Sequence, residues 1–551
     1  MKTNLTWEHP YTPAKEYSKR VAYFSMEFGI DHIFRIYSGG LGYLAGSHMR
    51  SAYELKQNMI GIGMLWKFGY YEQTRDQQGM MKPLYRERFY TFLEETDLIV
   101  ELNINGNPVK VQVWYLDPRI FGTIPMYFLT TDRDGMNDYL SRTITHRLYD
   151  SNAATRVAQS IVLGIGGAKV VEALGGADIL HMNEAHALPL AFHLYQKYQD
   201  VEEVKKRVVF TTHTPEMAGN EERDINFLHQ LGFFSGLDLD TVRKISGHPE
   251  GSRFGYTPAA LTMAKKANAV SQLHAKVSND MWSGVKGRPE IIGITNAQNQ
   301  NYWQDTELAE AHAAGDVEAM KARKRELKQE LFRFVADQTG NLLDPDALTI
   351  VWARRFAAYK RADLIMRNHQ EFYKLLSQKK YPIQIIWAGK PYPEDEGAID
   401  MFNRLIQMTH LAKNATVITG YEMDVSGLLK KGSDVWLNTP RRPREASGTS
   451  GMTAAMNASV NFSTDDGWIP EFAKHQKNAF VLPVADLNSS IEEQDNQDYN
   501  SLMTILNDEI LPTYYDKPDQ WWEIVRNGMT DVVPFFDSGR MAGEYYKRMF
   551  N

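Results

Sequence analysis

Four cations stand close together, Arg354-Arg355 and Lys360-Arg361, with Phe356 to Tyr359 between the pairs. A guanidinium grips an oxyanion through parallel N–H groups and an ammonium adds a compact charge, so this spacing can bring several cations onto one phosphate while the aromatics pack beneath. A basic helix start without a ligand would oppose the helix macrodipole, which favours the anion-binding reading over a solvated charge run. Further on stands Asn438-Thr439-Pro440-Arg441-Arg442-Pro443-Arg444-Glu445-Ala446-Ser447-Gly448-Thr449-Ser450-Gly451-Met452-Thr453. Here one carboxylate, Glu445, precedes a small-residue loop whose N–H groups and Thr449 hydroxyl suit a second phosphate or sugar oxygens.

The first half offers polar groups of another kind. Tyr37-Ser38-Gly39-Gly40-Leu41-Gly42 precedes a helix-like segment, Leu44–Leu55, and glycines there let backbone N–H groups approach a phosphate or sugar. The G-x-G-x-x-G spacing and the P-loop lysine are absent, so a plain tight turn stays open as an alternative. His181-Met182-Asn183-Glu184-Ala185-His186 follows an apolar run and sets Asn183, Glu184 and His186 where sugar hydroxyls could be met; helix capping by Asn183 is the plainer alternative. His181 and His186 are five apart rather than four, off the helical face that a metal pair would share, and no metal is expected. Thr211-Thr212-His213-Thr214-Pro215 ends another run, and His213 can hydrogen-bond a hydroxyl or exchange a proton near neutrality.

These segments share one context: each follows a short apolar run and opens a helix-like stretch, the pattern of parallel α/β sheets. The runs are Arg20–Phe24, Ala177–Met182, Arg207–Thr211 and Ala267–Ser271, then Leu348–Ala353, Ile383–Ala388, Ala415–Ile418 and Asp434–Leu437. The expected fold is α/β with two doubly wound, Rossmann-like domains, whose ligands collect beyond the carboxyl ends of the strands. Asp305–Val335, rich in Ala, Glu, Lys and Arg, predicts a helix, and Asp337–Asp346 a loop, so a boundary is expected near residue 300. The expected domains are residues 1–302, residues 303–525 and a helical tail, residues 526–551, that crosses back to the first. The Trp-rich end, Trp521 to Phe550, carries helical spacing but also the breaker pair Val533-Pro534, and Asn488–Asn500 reads as an acidic, Asn-rich solvated loop.

Composition narrows the function. With 551 residues, 43% hydrophobic and 23% charged, the chain can bury large cores. A net charge of −7 gives no footprint for nucleic acid or anionic membrane. The absence of cysteine excludes disulfides, thiolate nucleophiles, iron–sulfur clusters and cysteine-ligated zinc. With no apolar leader in residues 1–19 and no apolar run long enough to span a bilayer, a cytoplasmic location is expected.

Six stretches in order, Val21–Gly29, Tyr37–Ala45, His181–His186, Val209–Pro215, Ala353–Arg361 and Asp434–Met452, resemble the α-glucan phosphorylases, the glycogen, starch and maltodextrin phosphorylase family, of the compact bacterial type. The resemblance implies the GT-B fold with the active site in the interdomain cleft, and reversible, retaining phosphorolysis of α-1,4-glucan or maltodextrin with inorganic phosphate to glucose 1-phosphate. It also implies pyridoxal phosphate, used through its 5′-phosphate rather than its aldehyde. Carried over position by position, Arg355 and Lys360 hold the substrate phosphate, and Arg354, Gly448 and Thr449 face the cofactor phosphate. Glu445 binds glucose hydroxyls, His213 sets its carbonyl near the oxocarbenium-like centre and its ring on the sugar, and Gly39, Gly40 and Leu41 close over the phosphate. An N-terminal extension common in the family is expected to be absent, and a homo-oligomer is compatible with the sequence.

One departure stands out. The lysine that forms the family's Schiff base follows the Met of the glycine-rich loop, and that position is Thr453 here, so no imine can form there. Ala297, Asn299 and Ala458 also depart from the family pattern. Three readings follow: a phosphorylase that holds pyridoxal phosphate noncovalently or lets another phosphate do its work; a glucosyltransferase that takes glucose from a sugar nucleotide; and a noncatalytic glucan-binding relative.

Overall fold

Val21–Phe24, Val-Ala-Tyr-Phe, is buried at every position, as a strand covered on both faces must be. It sits in a nine-stranded sheet of spatial order Ile291–Gly293, Lys266–Ala269, Val208–Thr211, Ile179–Asn183, Val21–Phe24, Met59–Met64, Met126–Thr130, Asn107–Leu116, Glu94–Ile104. All neighbours pair in parallel except at the last edge, where Asn107–Leu116 runs antiparallel to Met126–Thr130 on one side and forms an antiparallel hairpin with Glu94–Ile104 on the other. Its turn is Asn105-Gly106, both at positive φ, the residue pair that a two-residue hairpin turn requires. A second sheet, six-stranded and wholly parallel, has the order Ala415–Val417, Ile383–Ala388, Leu348–Ala353, Val435–Asn438, Val460–Thr464, Ala479–Leu482.

This computed structural model describes residues 2–3, 5–248 and 250–551, which form two compact units. Unit 1 comprises Met1–Tyr70, Tyr85–Asn296 and Ser538–Asn551; unit 2 comprises Tyr71–Leu84 and Ala297–Asp537. In unit 2 the sheet runs 3-2-1-4-5-6 in chain order, the doubly wound arrangement, with its reversal between Leu348–Ala353 and Val435–Asn438. In unit 1 the parallel strands reverse in the same way between Val21–Phe24 and Ile179–Asn183. Chain leaving the carboxyl ends of these four strands carries most of the residues singled out by sequence.

The helices used below are α1 (Gly40–Glu54), α2 (Gln300–Trp303), α3 (Val317–Thr339), α4 (Met423–Gly432), α5 (Ser450–Met456) and α6 (Ile491–Ile505). The glycine-rich segment opens α1 directly, four residues before the helix-like stretch predicted at Leu44. In place of one helix over Asp305–Val335 there are two, because Gly315 takes φ +69° and ends Thr306–Ala314 while Asp316 caps α3 through the Ala319 N–H. The Asn488–Asn500 loop is a correction as well: Ser490 accepts from the Glu493 N–H and opens α6. Pro534 stays inside a helix, Pro518–Phe536, two residues before its end, where few backbone bonds are left to break. Within unit 1, Ser538–Asn551 is held by Ser51 Oγ to Ser538 Oγ at 2.6 Å, by Gln57 Nε2 donating to Ala542 O at 3.0 Å, and by Asn268 Nδ2 donating to the Tyr545 hydroxyl at 3.0 Å. Among the described residues no helix is long and apolar enough to cross a membrane.

Candidate active site

The strand Leu348–Ala353 ends in Arg354, and the chain turns through Ala358–Lys360 to Arg361, which adopts φ +50°. Arg354 Nη2 donates to Glu445 Oε2 at 2.8 Å, and Lys360 Nζ to the same oxygen at 3.0 Å. Burial acts to raise the Glu445 carboxyl, yet the Arg354 and Lys360 charges outweigh it and hold it at about 2. Burial and the Arg354 charge pull the Lys360 amine down to about 7 against the attraction of Glu445. Arg354 is only partly used: its Nε and Nη1 are buried with no hydrogen-bond partner, a donor face set for an anion. Arg355 is exposed, and its charge reaches both Lys360 and Glu445.

The fourth cation of the cluster does not join them. Arg361 donates to Thr439 O at 2.8 Å, to Asp495 at 2.8 Å and to Asp498 at 2.6 Å, so it ties the lysine turn to α6. Thr439 completes the tie by donating to Lys360 O at 3.0 Å.

Behind Glu445, Gly448 takes φ +90°, and Thr449 occupies the N-cap position of α5 without a side-chain cap bond. A Cβ on Gly448 would stand 3.6 Å from Arg354 Nη2, so the loop runs directly past the guanidinium. Ser447 Oγ and Asn438 Oδ1 are also buried and unpartnered. Asp466 accepts the Glu445 N–H at 2.9 Å and the Gly467 N–H at 2.8 Å; burial and the Glu445 charge push it up to about 7. Gly467, at φ +62°, permits this, since a Cβ there would lie 2.3 Å from Ser447 O. Trp468 is core, stacked on Phe472 at 4.6 Å. Thr453 is fully buried and its hydroxyl donates to Ser450 O at 3.0 Å, within its own helix.

In unit 1, Asn183 and Glu184 leave the strand at the reversal point. Asn183 does not cap a helix: its Oδ1 meets His213 Nε2 at 2.7 Å and its Nδ2 donates to Ser25 Oγ at 3.2 Å. Glu184 sits at φ +69°, a strained region for a residue with a side chain, and its carboxylate accepts the His213 N–H and the Thr214 hydroxyl. Burial pushes Glu184 up to about 7 and pulls His213 down to about 3 and His186 down to about 4, so both imidazoles are neutral at pH 7. His186 Nδ1 is buried and unpartnered.

The glycine-rich segment has an anchor that sequence reasoning missed. Glu27 accepts the Ser38 N–H at 2.6 Å, the Gly39 N–H at 3.2 Å and the Tyr149 hydroxyl at 2.6 Å, fixing the loop from below. The signal was an acidic residue inside the largely apolar Val21–Gly29 stretch. Gly39 and Gly40 have open space where a side chain would project, whereas a Cβ at Gly42 would meet Glu27 Oε2 at 2.6 Å. Leu41 follows as the second residue of α1. Among the described residues no group of three or more His, Asp or Glu could hold a metal.

Residues 292–532 match the carbohydrate phosphorylase family model, and residues 36–284 match the starch synthase catalytic domain. An uncharacterized protein of Methanocaldococcus jannaschii is 46% identical, over 97% of this chain and 100% of that protein. Maltodextrin phosphorylase of Thermococcus litoralis is 31% identical over 100% of this chain and 72% of the relative, and glycogen phosphorylase of Aquifex aeolicus 28% identical over 97% and 86%. With its ordered motifs and doubly wound sheets, the chain belongs to the glycogen, starch and maltodextrin phosphorylase family and has a GT-B type of α/β fold.

Proposed function

We propose that the chain is an α-glucan phosphorylase that transfers glucose from an α-1,4-glucan or maltodextrin to inorganic phosphate with retention, releasing glucose 1-phosphate. The observation that carries this reading is the half-used guanidinium of Arg354 beside the Lys360–Glu445 pair at the sheet's reversal point. Buried charges of this kind are costly without a partner, and a phosphate supplies one.

In this reading Arg355 and Lys360 hold the substrate phosphate and Glu445 binds glucose hydroxyls. Within unit 1, Asn183, Glu184 and His186 offer polar groups to sugar hydroxyls, His213 offers its ring to a sugar and its carbonyl to a developing positive charge, and Gly39, Gly40 and Leu41 offer a glycine-rich loop to a phosphate. The phosphate end of pyridoxal phosphate fits the residues present: Arg354 has two orphaned donors, and Gly448, without a side chain, runs past its guanidinium just before Thr449. When bound, the cofactor supplies a phosphate that gives and takes a proton. Thr453 offers it no amine, so these residues hold it without a covalent link at that position.

The deciding assay is maltodextrin plus phosphate, with and without added pyridoxal phosphate. Release of glucose 1-phosphate supports the reading, and no release under either condition overturns it. A second reading, transfer from a sugar nucleotide, is favoured by the starch synthase match over residues 36–284. Consumption of a sugar nucleotide with glucan elongation and no phosphorolysis would put it first.

A further inference from the structure

Glu445 is held at both of its ends. Arg354 and Lys360 grip its carboxylate, and Asp466 Oδ2 accepts its main-chain N–H at 2.9 Å. Asp466, Gly467 and Trp468, just beyond the strand Val460–Thr464, clamp the loop from Glu445 to Ser447. A Cβ on Gly467 would stand 3.0 Å from Glu445 Cγ, so its backbone lies against the Glu445 side chain, and the Trp468 N–H donates to Ser447 O at 3.0 Å. Trp468 is packed with Met452, Phe472 and Phe536 in the core, and a Cβ on Gly451 would stand 3.0 Å from its Cζ2, so the clamp and the start of α5 rest on the same indole. The far end of the loop is carried by α5, against which α2 and α4 pack. The near end starts at Glu445, where Asp466 holds it.

The choice of an acid at position 466 is informative. Asp466 is 2% exposed and makes no ion pair among the described residues, whereas its neighbour Asp465 takes Arg442 at 2.7 Å. A buried carboxyl without a cation is costly. What it supplies is an acceptor on each oxygen, Oδ2 for the Glu445 N–H and Oδ1 for the Gly467 N–H at 2.8 Å. An asparagine has one acceptor for these two donors. Burial and the Glu445 charge push Asp466 up to about 7, so it can be neutral beside the charged Glu445, and a protonated carboxyl still accepts at both oxygens.

We propose that Asp466 is a positioning residue for sugar recognition, which places the Glu445 carboxylate for particular glucose hydroxyls and so sets which sugars the site accepts. The inference rests on the reading in which Glu445 binds glucose hydroxyls. Asp466 itself touches neither sugar nor phosphate and acts through Glu445.

The test compares glucose 1-phosphate with analogues that each lack one hydroxyl, using the full chain with added pyridoxal phosphate. Binding is read by calorimetry, and transfer to maltodextrin by kcat/KM. Glu445→Gln first identifies the hydroxyl that Glu445 reads, as the one whose removal costs the variant least relative to the wild type. Asp466→Ala, which loses both bonds, should cut discrimination at that same hydroxyl ~10-fold or more and leave discrimination at the others within ~2-fold. Asp466→Asn, which keeps one acceptor, should fall between Asp466→Ala and the wild type. An equal loss for every analogue marks a merely structural role and overturns the inference, as does unchanged discrimination. If neither variant folds, site-resolved hydrogen exchange on the wild type decides: the Glu445 and Gly467 amides should be strongly protected, and exchange at the rate of an exposed loop amide overturns the inference. Discrimination lost in Asp466→Ala with no transfer by the wild type sinks the phosphorylase reading alone, and transfer with discrimination untouched sinks this inference alone. A wild type that binds none of these sugars overturns both.

Discussion

Removing the Lys360 ammonium takes a preorganised charge from the place where phosphate carries its own, a loss on the scale of ~3 kcal/mol for one well-placed donor. Lys360→Ala therefore lowers the phosphorolysis rate ~100-fold or more, and a near-normal rate would exclude Lys360 from phosphate binding. Glu184 gives a prediction in pH. Its pKa is raised on folding, so the folded chain favours its protonated form; the stability this contributes is complete at low pH and is lost as pH rises through about 7. Glu184→Gln removes that titration, and the wild-type melting temperature should fall relative to the variant between pH 5 and pH 8; parallel curves would mean that Glu184 is not held protonated. At this scale the residue types were legible and their partners were not. Arg361 and Lys360 are adjacent cations in sequence, yet one is spent on Asp495 and Asp498 and the other faces Glu445, a difference decided by carboxylates far along the chain.

Helix α1 shows how an element is built around a loop that must stay open. Gly46→Ala would set a Cβ 1.8 Å from Gly29 O, a backbone clash with no side chain to yield, while Gly40→Ala enters free space. Thermal unfolding should show Gly46→Ala strongly destabilised and Gly40→Ala within ~0.5 kcal/mol of the wild type, with Gly40→Ala still slowing phosphorolysis if the loop covers phosphate. Equal stability of the two would mean that α1 packs differently. Strands ending in chemistry were easy to read, because an apolar run followed by Asn, Arg or Thr is a sharp change of composition. Met59–Met64 and Val460–Thr464, also fully buried, escaped notice because Met-Ile-Gly-Ile-Gly-Met and Val-Asn-Phe-Ser-Thr carry glycine or alternating polar residues. Helix α6 was hidden by its composition: Asp and Asn suit loops, and what fixes them in a helix is the Arg361 and Arg441 side chains on Asp495.

Across unit 1, burial holds His48, His186, His213 and His274 at about 3 to about 4, below the ordinary histidine value. The unfolded chain takes up protons near 6.5 that the folded unit refuses, so stability is retained above that pH and lost as pH falls toward 4. Circular dichroism during acid titration should show unit 1 weakening from about pH 6.5 downward; an onset only below pH 4 would mean that these imidazoles are not buried neutral. The doubly wound class was legible from repeated strand-to-helix texture. The assignment of Tyr71–Leu84 to unit 2 was not, because no local pattern records where a short hairpin docks. The same division bears on synthesis. Unit 1 draws on Ser538–Asn551, with Tyr545 bonded to Asn268 and Ser538 to Ser51, and unit 2 draws on a hairpin translated long before the rest of it. A ribosome cannot finish the first unit before beginning the second: the sheet around Val21–Phe24 must wait, partly covered, until residues 538–551 emerge, and a chain ending at residue 537 holds every residue of unit 2 but an unfinished unit 1.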